Sequence, residues 1–206
     1  MGSCLIFFAV YWYLVIFFFF NSRQGLSDGF LGFDCEWVNK EPVALVQMST
    51  KDGYCVLFHL SKMQSFPLNL QVIFLSTLQL KIHESYWGIL WQKSPIFQGL
   101  LENDNILKVG VGPLNDAKLL FRDYQVCTEG CIDVRFFAPI REKMGLAALA
   151  KDHLNISLNK SSHIRRSDWS ADTLSQEQLQ YAALDAYVGA LLFAKLTANL
   201  SKEVRW

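Results

Sequence analysis

Two carboxylates one residue apart, Asp34 and Glu36, stand in the stretch Leu31-Gly-Phe-Asp34-Cys-Glu36-Trp-Val38. Apolar Leu31, Phe33, Cys35 and Trp37 alternate with them, a period of two that predicts a β-strand with one face in the core. Both carboxylates then leave the opposite face, roughly 6–7 Å apart along the chain. Carboxylates held that close repel each other, and a divalent cation between them is the commonest remedy. Three further residues bear the same chemistry. Asp116 falls in the first turn of a helix predicted to start at Pro113, and Tyr181 and Asp185 are four apart in a helix and share a face. Lys160, His163, Arg165 and Arg166 form a concentrated positive stretch that as a cluster could touch phosphates. Taken singly, each has a bland reading: a helix cap, an exposed strand face, an ordinary helix pair, a solvated loop.

The elements that must position these residues follow from local pattern. Pro42–Ser49 and Tyr54–Leu60 read as strands joined by a turn at Lys51-Asp52-Gly53, so that with 31–38 they make an antiparallel meander. Ile106–Val111 is a short apolar strand that turns at Gly112-Pro113 into a helix over 114–124. Cys131–Val134 is another strand, and Gly145–Leu154 an amphipathic helix. The longest helix is expected over Ser175–Leu200, with Ser175 and Gln178 in a capping box and Leu184, Val188, Leu191 and Leu192 as its buried stripe. Trp37, Trp169, Lys108 and Asp133 are read as structural.

Two segments do not fit this order. Cys4–Phe20 carries no charge and ends in four phenylalanines. It reads as a membrane anchor at the lower length limit, with Arg23 keeping the rest on the cytoplasmic side, or as part of a translated non-coding segment, Met1–Gln24. Val72–Gln98 is apolar and aromatic without a clean period. It reads as an inserted loop or helix, as a substrate-gripping insertion with Trp87 and Trp91, or, the reading preferred here, as a retained intron of 27 codons. Without it, the flanks join as one amphipathic helix through Leu68, Leu70, Leu100 and Leu101.

A chain of 206 residues suffices for one α/β domain, here 25–206 behind the hydrophobic segment 1–24. A formal net charge of zero excludes a globally basic nucleic-acid binder and leaves only a local surface. The five cysteines form no CxxC pair, which argues for buried thiols in a reducing compartment and against a zinc site.

In order, Asp34-x-Glu36, Asp116 after ILKVGVG, and Tyr181-x-x-x-Asp185 in YAALDAYVG resemble the five residues that define the DEDDy branch of the 3′–5′ exonuclease superfamily, as in ribonuclease D and the Werner exonuclease. GFDCEWV and SDWS strengthen the resemblance, which covers about residues 30–71 and 99–197. The histidine-type branch has His five before the last Asp; Gln180 stands there, so the tyrosine type is implied. The resemblance implies a ribonuclease H-like α/β fold: a mixed sheet, antiparallel meander plus parallel strands, flanked by helices. It implies two divalent cations, Mg²⁺ or Mn²⁺, which suit hard oxygen ligands, with Asp34 bridging both. Glu36 and Asp185 complete one site, Asp116 binds the second ion, and Tyr181 orients the attacking water. The implied activity is hydrolysis of DNA or RNA from single-stranded 3′ ends, releasing nucleoside 5′-monophosphates, in nucleic-acid processing or repair. The competing expectation is a catalytically impaired nucleic-acid-binding scaffold, spoiled by truncation and insertion. For location, a cytoplasm-facing membrane such as the mitochondrial outer surface follows if 4–20 is an anchor, and the nucleus is as good an expectation if it is not.

Overall fold

The computed structural model describes residues 28–63, 70–76, 79–83, 95–138 and 144–198. The expected anchor at 4–20 lies outside them. Within the described residues no helix is long and apolar enough to cross a membrane.

One mixed sheet organises the chain. Its strands are β1 (Phe30–Glu36), β2 (Leu45–Ser49), β3 (Tyr54–His59), β4 (Leu70–Ser76), β5 (Gln79–His83), β6 (Leu107–Gly110) and β7 (Cys131–Asp133), in the order β5-β4-β3-β2-β1-β6-β7. β1 to β5 pair antiparallel in succession, whereas β6 lies parallel to β1, and β7 parallel to β6. The expected meander and parallel strands are therefore present, and β1 sits where the two halves meet. Gly53 turns β2 into β3 with a φ of +90° and donates its N–H to Thr50 O at 3.2 Å.

The helices are α1 (Leu60–Met63), α2 (Pro95–Glu102), α3 (Pro113–Tyr124), α4 (Leu146–Leu149), α5 (Ser162–Arg165) and α6 (Gln176–Thr197). α6 begins at the expected capping box: Gln178 N–H donates to Ser175 Oγ at 3.2 Å, and Ser175 N–H donates to Gln178 Oε1 at 2.9 Å. Helix formation over 145–154 is more complex than the sequence suggests, because α4 passes into a π-helical turn at Ala150–Leu154.

The segment without sequence period contributes strands. β4 and β5 hydrogen-bond onto β3 as an antiparallel pair, with Val72 opposite Val56 and Ile73 opposite Ile82. α2 follows, and its last turn drives Leu100 and Leu101 into the core with Leu31, Phe33, Met48 and Leu120. With 72–98 present in the chain, Leu100 and Leu101 lie in α2 and Leu70 in β4.

β1 is covered on both faces. Leu31, Phe33 and Cys35 face one cluster with α2 and α3, as the alternation predicts. The other face is not open to water; α6 crosses it. Gly32 permits this approach, since a Cβ there would lie 1.9 Å from Ala186 O. Gly189 matches it from the helix side, where a Cβ would lie 3.2 Å from Val109 O. The buried face of α6 is accordingly built from Ala182, Ala186, Gly189 and Ala190 with Val188 and Leu192, rather than from the expected leucine stripe, of which Leu184 and Leu191 stay half-buried. Small residues let the helix sit low on the sheet, and that depth decides what happens at its Asp185.

Candidate active site

Because α6 lies close over β1, Asp185 meets Asp34 and Glu36 face to face. One carboxylate oxygen from each of the three lies within 4.8 Å of the others. Glu36 and Asp185 are buried and Asp34 is half-buried, opening into a cleft of about 380 Å³. Trp37, Gly110, Val111 and Leu146 line it beside Lys160, Arg165, Arg166 and Tyr181. Register fixes the neighbours as well: Gln47 pairs opposite Asp34 on β2, and its Nε2 donates to Glu36 Oε1 at 3.4 Å.

Asp116 reaches the same region from the first turn of α3. Gly112 precedes that helix with a φ of +77°, and its N–H donates to Asp133 Oδ2 at 2.9 Å. Arg135 clamps Asp133 in turn, with Nε donating to Oδ1 at 2.9 Å and Nη2 donating to Oδ2 at 2.6 Å. This braced turn sets where α3 starts and so where Asp116 points. Asp116 is buried and lies outside the group formed by Asp34, Glu36 and Asp185, yet close enough to Asp34 for the two to repel.

The electrostatics report the crowding. Burial, then repulsion by Asp185, raises Asp34 to about 7. Burial and then Asp34 raise Asp116 to about 9. Glu36 is pushed well above the ordinary carboxylate range by burial and by Asp34. Burial also raises Asp185, against the opposing pull of Lys160. Tyr181 is raised by burial and by Asp185, so its phenol stays protonated at neutral pH. Groups that resist ionisation this strongly gain most from a multivalent cation. The donor atoms of the cluster are all carboxylate oxygens, without thiolate or imidazole, which fits Mg²⁺ or Mn²⁺ and not zinc.

The basic loop divides. Lys160, Arg165 and Arg166 line the cleft, whereas His163 is exposed and lines a neighbouring cavity of about 340 Å³ with Asn159, Glu177 and Gln180. Trp169 anchors the loop: it is fully buried, its Nε1 donates to Arg165 O at 3.2 Å, and its carbonyl meets His59 Nε2 at 2.9 Å. Lys160 goes further than a loop cation. Its ammonium ion-pairs with Asp185 Oδ2, donates to Tyr181 Oη at 3.5 Å and lies 4.7 Å from the centre of the Tyr181 ring. Neither Gln47 nor the Asp133–Arg135 brace was expected at the site, and nothing in their local sequence marks them; only sheet register and the β6–β7 pairing bring them there.

An acid-lined cleft at the junction of a meander and a parallel pair, with a tyrosine on the covering helix, defines a class. A family model described as 3′–5′ exonuclease matches residues 21–201, and this chain belongs to that family. It is 35% identical over 182 residues to exonuclease 3′–5′ domain-containing protein 2 of Drosophila melanogaster, covering 85% of this chain and 27% of that protein. The Homo sapiens protein of the same name is 36% identical over 186 residues, covering 84% and 26%. The exonuclease domain of EXD2 soaked in Mn superposes with a TM-score of 0.45 at 30% identity, over 93% of this chain and 90% of that one. The chain spans about a quarter of the length of these two relatives.

Proposed function

We propose that this chain is a metal-dependent 3′–5′ exonuclease that hydrolyses DNA or RNA from single-stranded 3′ ends and releases nucleoside 5′-monophosphates. The observation that carries the reading is the convergence of Asp34, Glu36 and Asp185 within 4.8 Å, in a cleft that also presents Lys160, Arg165 and Arg166. Opposite charges stand side by side there: carboxylates to hold cations, and cations to hold a phosphodiester.

Two divalent cations, Mg²⁺ or Mn²⁺, supply the charge that stabilises in-line displacement at phosphorus when they are bound. Asp34, Glu36 and Asp185, with Asp116 near Asp34, would hold them. Tyr181, held protonated, donates a hydrogen bond that orients the attacking water; its raised pKa makes it unsuited to be the base. Arg165 and Arg166 bind backbone phosphates, which place the strand without reading its sequence. The reading as an inert nucleic-acid-binding scaffold is not favoured, because all five residues stand on formed elements, β1, α3 and α6, with Glu36, Asp116, Tyr181 and Asp185 buried.

Product analysis tests the proposal. The full chain is incubated with a single-stranded oligonucleotide and Mn²⁺, and the products are separated by chromatography. Nucleoside 5′-monophosphates are expected; nucleoside 3′-monophosphates, or internal fragments alone, would overturn it. Two separate proposals about the chain, a membrane tether through 4–20 and a retained intron at 72–98, are decided by carbonate-resistant membrane association and by transcript reads spanning the junction.

A further inference from the structure

Lys160 stands on the ridge between two cavities. It lines the catalytic cleft itself, its neighbours Asn159 and Ser161 line the second cavity, and Tyr181 and Asp185 line both. Its ammonium touches Asp185 Oδ2, Tyr181 Oη and the Tyr181 ring. Among the described residues, no other ion pair reaches Asp34, Glu36, Asp116 or Asp185. The lysine side chain is 30% exposed, whereas that of Asp185 is 5% exposed, so the ammonium covers the carboxylate from the solvent side.

We propose that Lys160 is an exchangeable counter-ion of the exonuclease centre. It holds Asp185 and Tyr181 in position while the carboxylates carry no cation, and it passes to a non-bridging oxygen of the scissile phosphodiester once Asp185 serves as a metal ligand. The inference rests on the exonuclease reading and deepens it. Three arguments support it. Asp185 carries a single negative charge and cannot give it to the ammonium and to a divalent ion at once at full strength, so the two compete for one carboxylate. A lysine is a compact charge on a flexible stem with three rotatable donors, so it can change partners without moving the backbone. The ridge position puts the freed ammonium beside any strand that runs from one cavity to the other past Asp185.

The proposal predicts effects of opposite sign, which a merely structural lysine would not produce. The full chain carrying Lys160→Met, with Lys160→Arg as the charge-keeping control, is titrated with Mn²⁺ by calorimetry without nucleic acid. Loss of the competitor tightens Mn²⁺ binding by about fivefold or more in Lys160→Met, while Lys160→Arg stays within about twofold of wild type. With Mn²⁺ saturating, kcat on a labelled single strand falls by about tenfold or more in Lys160→Met and is substantially restored in Lys160→Arg. Unchanged or weaker Mn²⁺ binding in Lys160→Met overturns the proposal, as does an unchanged kcat. If Lys160→Met shows no cooperative melt, Lys160→Gln takes its place; failure of both to fold makes the lysine structural and also overturns it. A wild-type protein that binds Mn²⁺ but cleaves no strand defeats the exonuclease reading instead, and the Mn²⁺ titration still decides whether the lysine competes.

Discussion

Asp34→Asn removes one charge from a cluster of three carboxylates, with Asp116 near by, and keeps the side chain's size. In the folded protein Asp34 is raised from 3.8 to about 7, mostly by burial and then by Asp185. A raised acid stabilises the fold fully below its unfolded pKa, and that contribution is lost as pH climbs toward the folded value. For Asp34 the loss runs from about pH 4 to about 7, and for Asp116 it continues to about 9. The Asp34 shift of about three units corresponds to at most about 4 kcal/mol. Asp34 is only half-buried and shares its charge interactions with its neighbours, so a realised gain of about 1–2 kcal/mol is the better figure. In a chain of this size that is an increase in Tm of about 2–8 °C. The assay is thermal unfolding at pH 8 in EDTA, repeated with Mn²⁺. Asp34→Asn should melt above wild type in EDTA, and the order should reverse in Mn²⁺, because only wild type binds the ion tightly. If the variant melts below wild type in EDTA, the claim that these carboxylates repel one another in the metal-free fold is refuted.

Other substitutions probe separate parts of the site. Asp185→Ala should abolish cleavage while leaving a cooperative melt, and near-wild-type turnover would remove it from the centre. Tyr181→Phe should slow cleavage by about 10–100-fold with Mn²⁺ affinity retained, read by single-turnover rates and calorimetry; an unchanged rate would end its proposed role. Gly32→Ala should cost about 3 kcal/mol in urea unfolding and cut activity sharply, since a Cβ meets Ala186 O and lifts α6 off the sheet. Lys108→Met should cost about 2–4 kcal/mol, because the buried ammonium serves the carbonyls of Leu100, Asn103 and Ile106 at 3.3, 2.8 and 2.7 Å; a urea midpoint equal to wild type would contradict that.

Local patterns carried those parts of the fold that local physics decides. Alternation alone separated Leu31, Phe33 and Cys35 from Asp34 and Glu36, because side chains on a strand have no other choice of face. The capping box at Ser175 and the start of α3 at Pro113 depend on bonds within one turn, and both formed where expected. What failed was any inference that needs the partner's identity. The far face of β1 looks solvent-exposed in sequence, yet α6 covers it, and only the paired absence of side chains at Gly32 and Gly189 records the contact. Val72–Gln98, which shows no clean period, carries most of β4 and all of β5.

The site divides in the same way. Its five family residues were readable as a constellation, since each came with its element. Their distances were not, because the 4.8 Å grouping of Asp34, Glu36 and Asp185 depends on how low α6 sits. Lys160 was visible only as one charge in a basic loop. That it alone turns inward onto Asp185 follows from the anchoring of that loop by Trp169 and from the fold as a whole.

The most direct test of the central claim is strand polarity. A single strand labelled at its 5′ end is incubated with the full chain in Mn²⁺, in Mg²⁺ and in EDTA, beside Asp185→Ala. A ladder of 5′-labelled products that shortens one nucleotide at a time with a divalent cation, and vanishes in EDTA and in the variant, is the predicted result. Immediate release of a labelled mononucleotide, or a ladder that survives EDTA, would contradict the account.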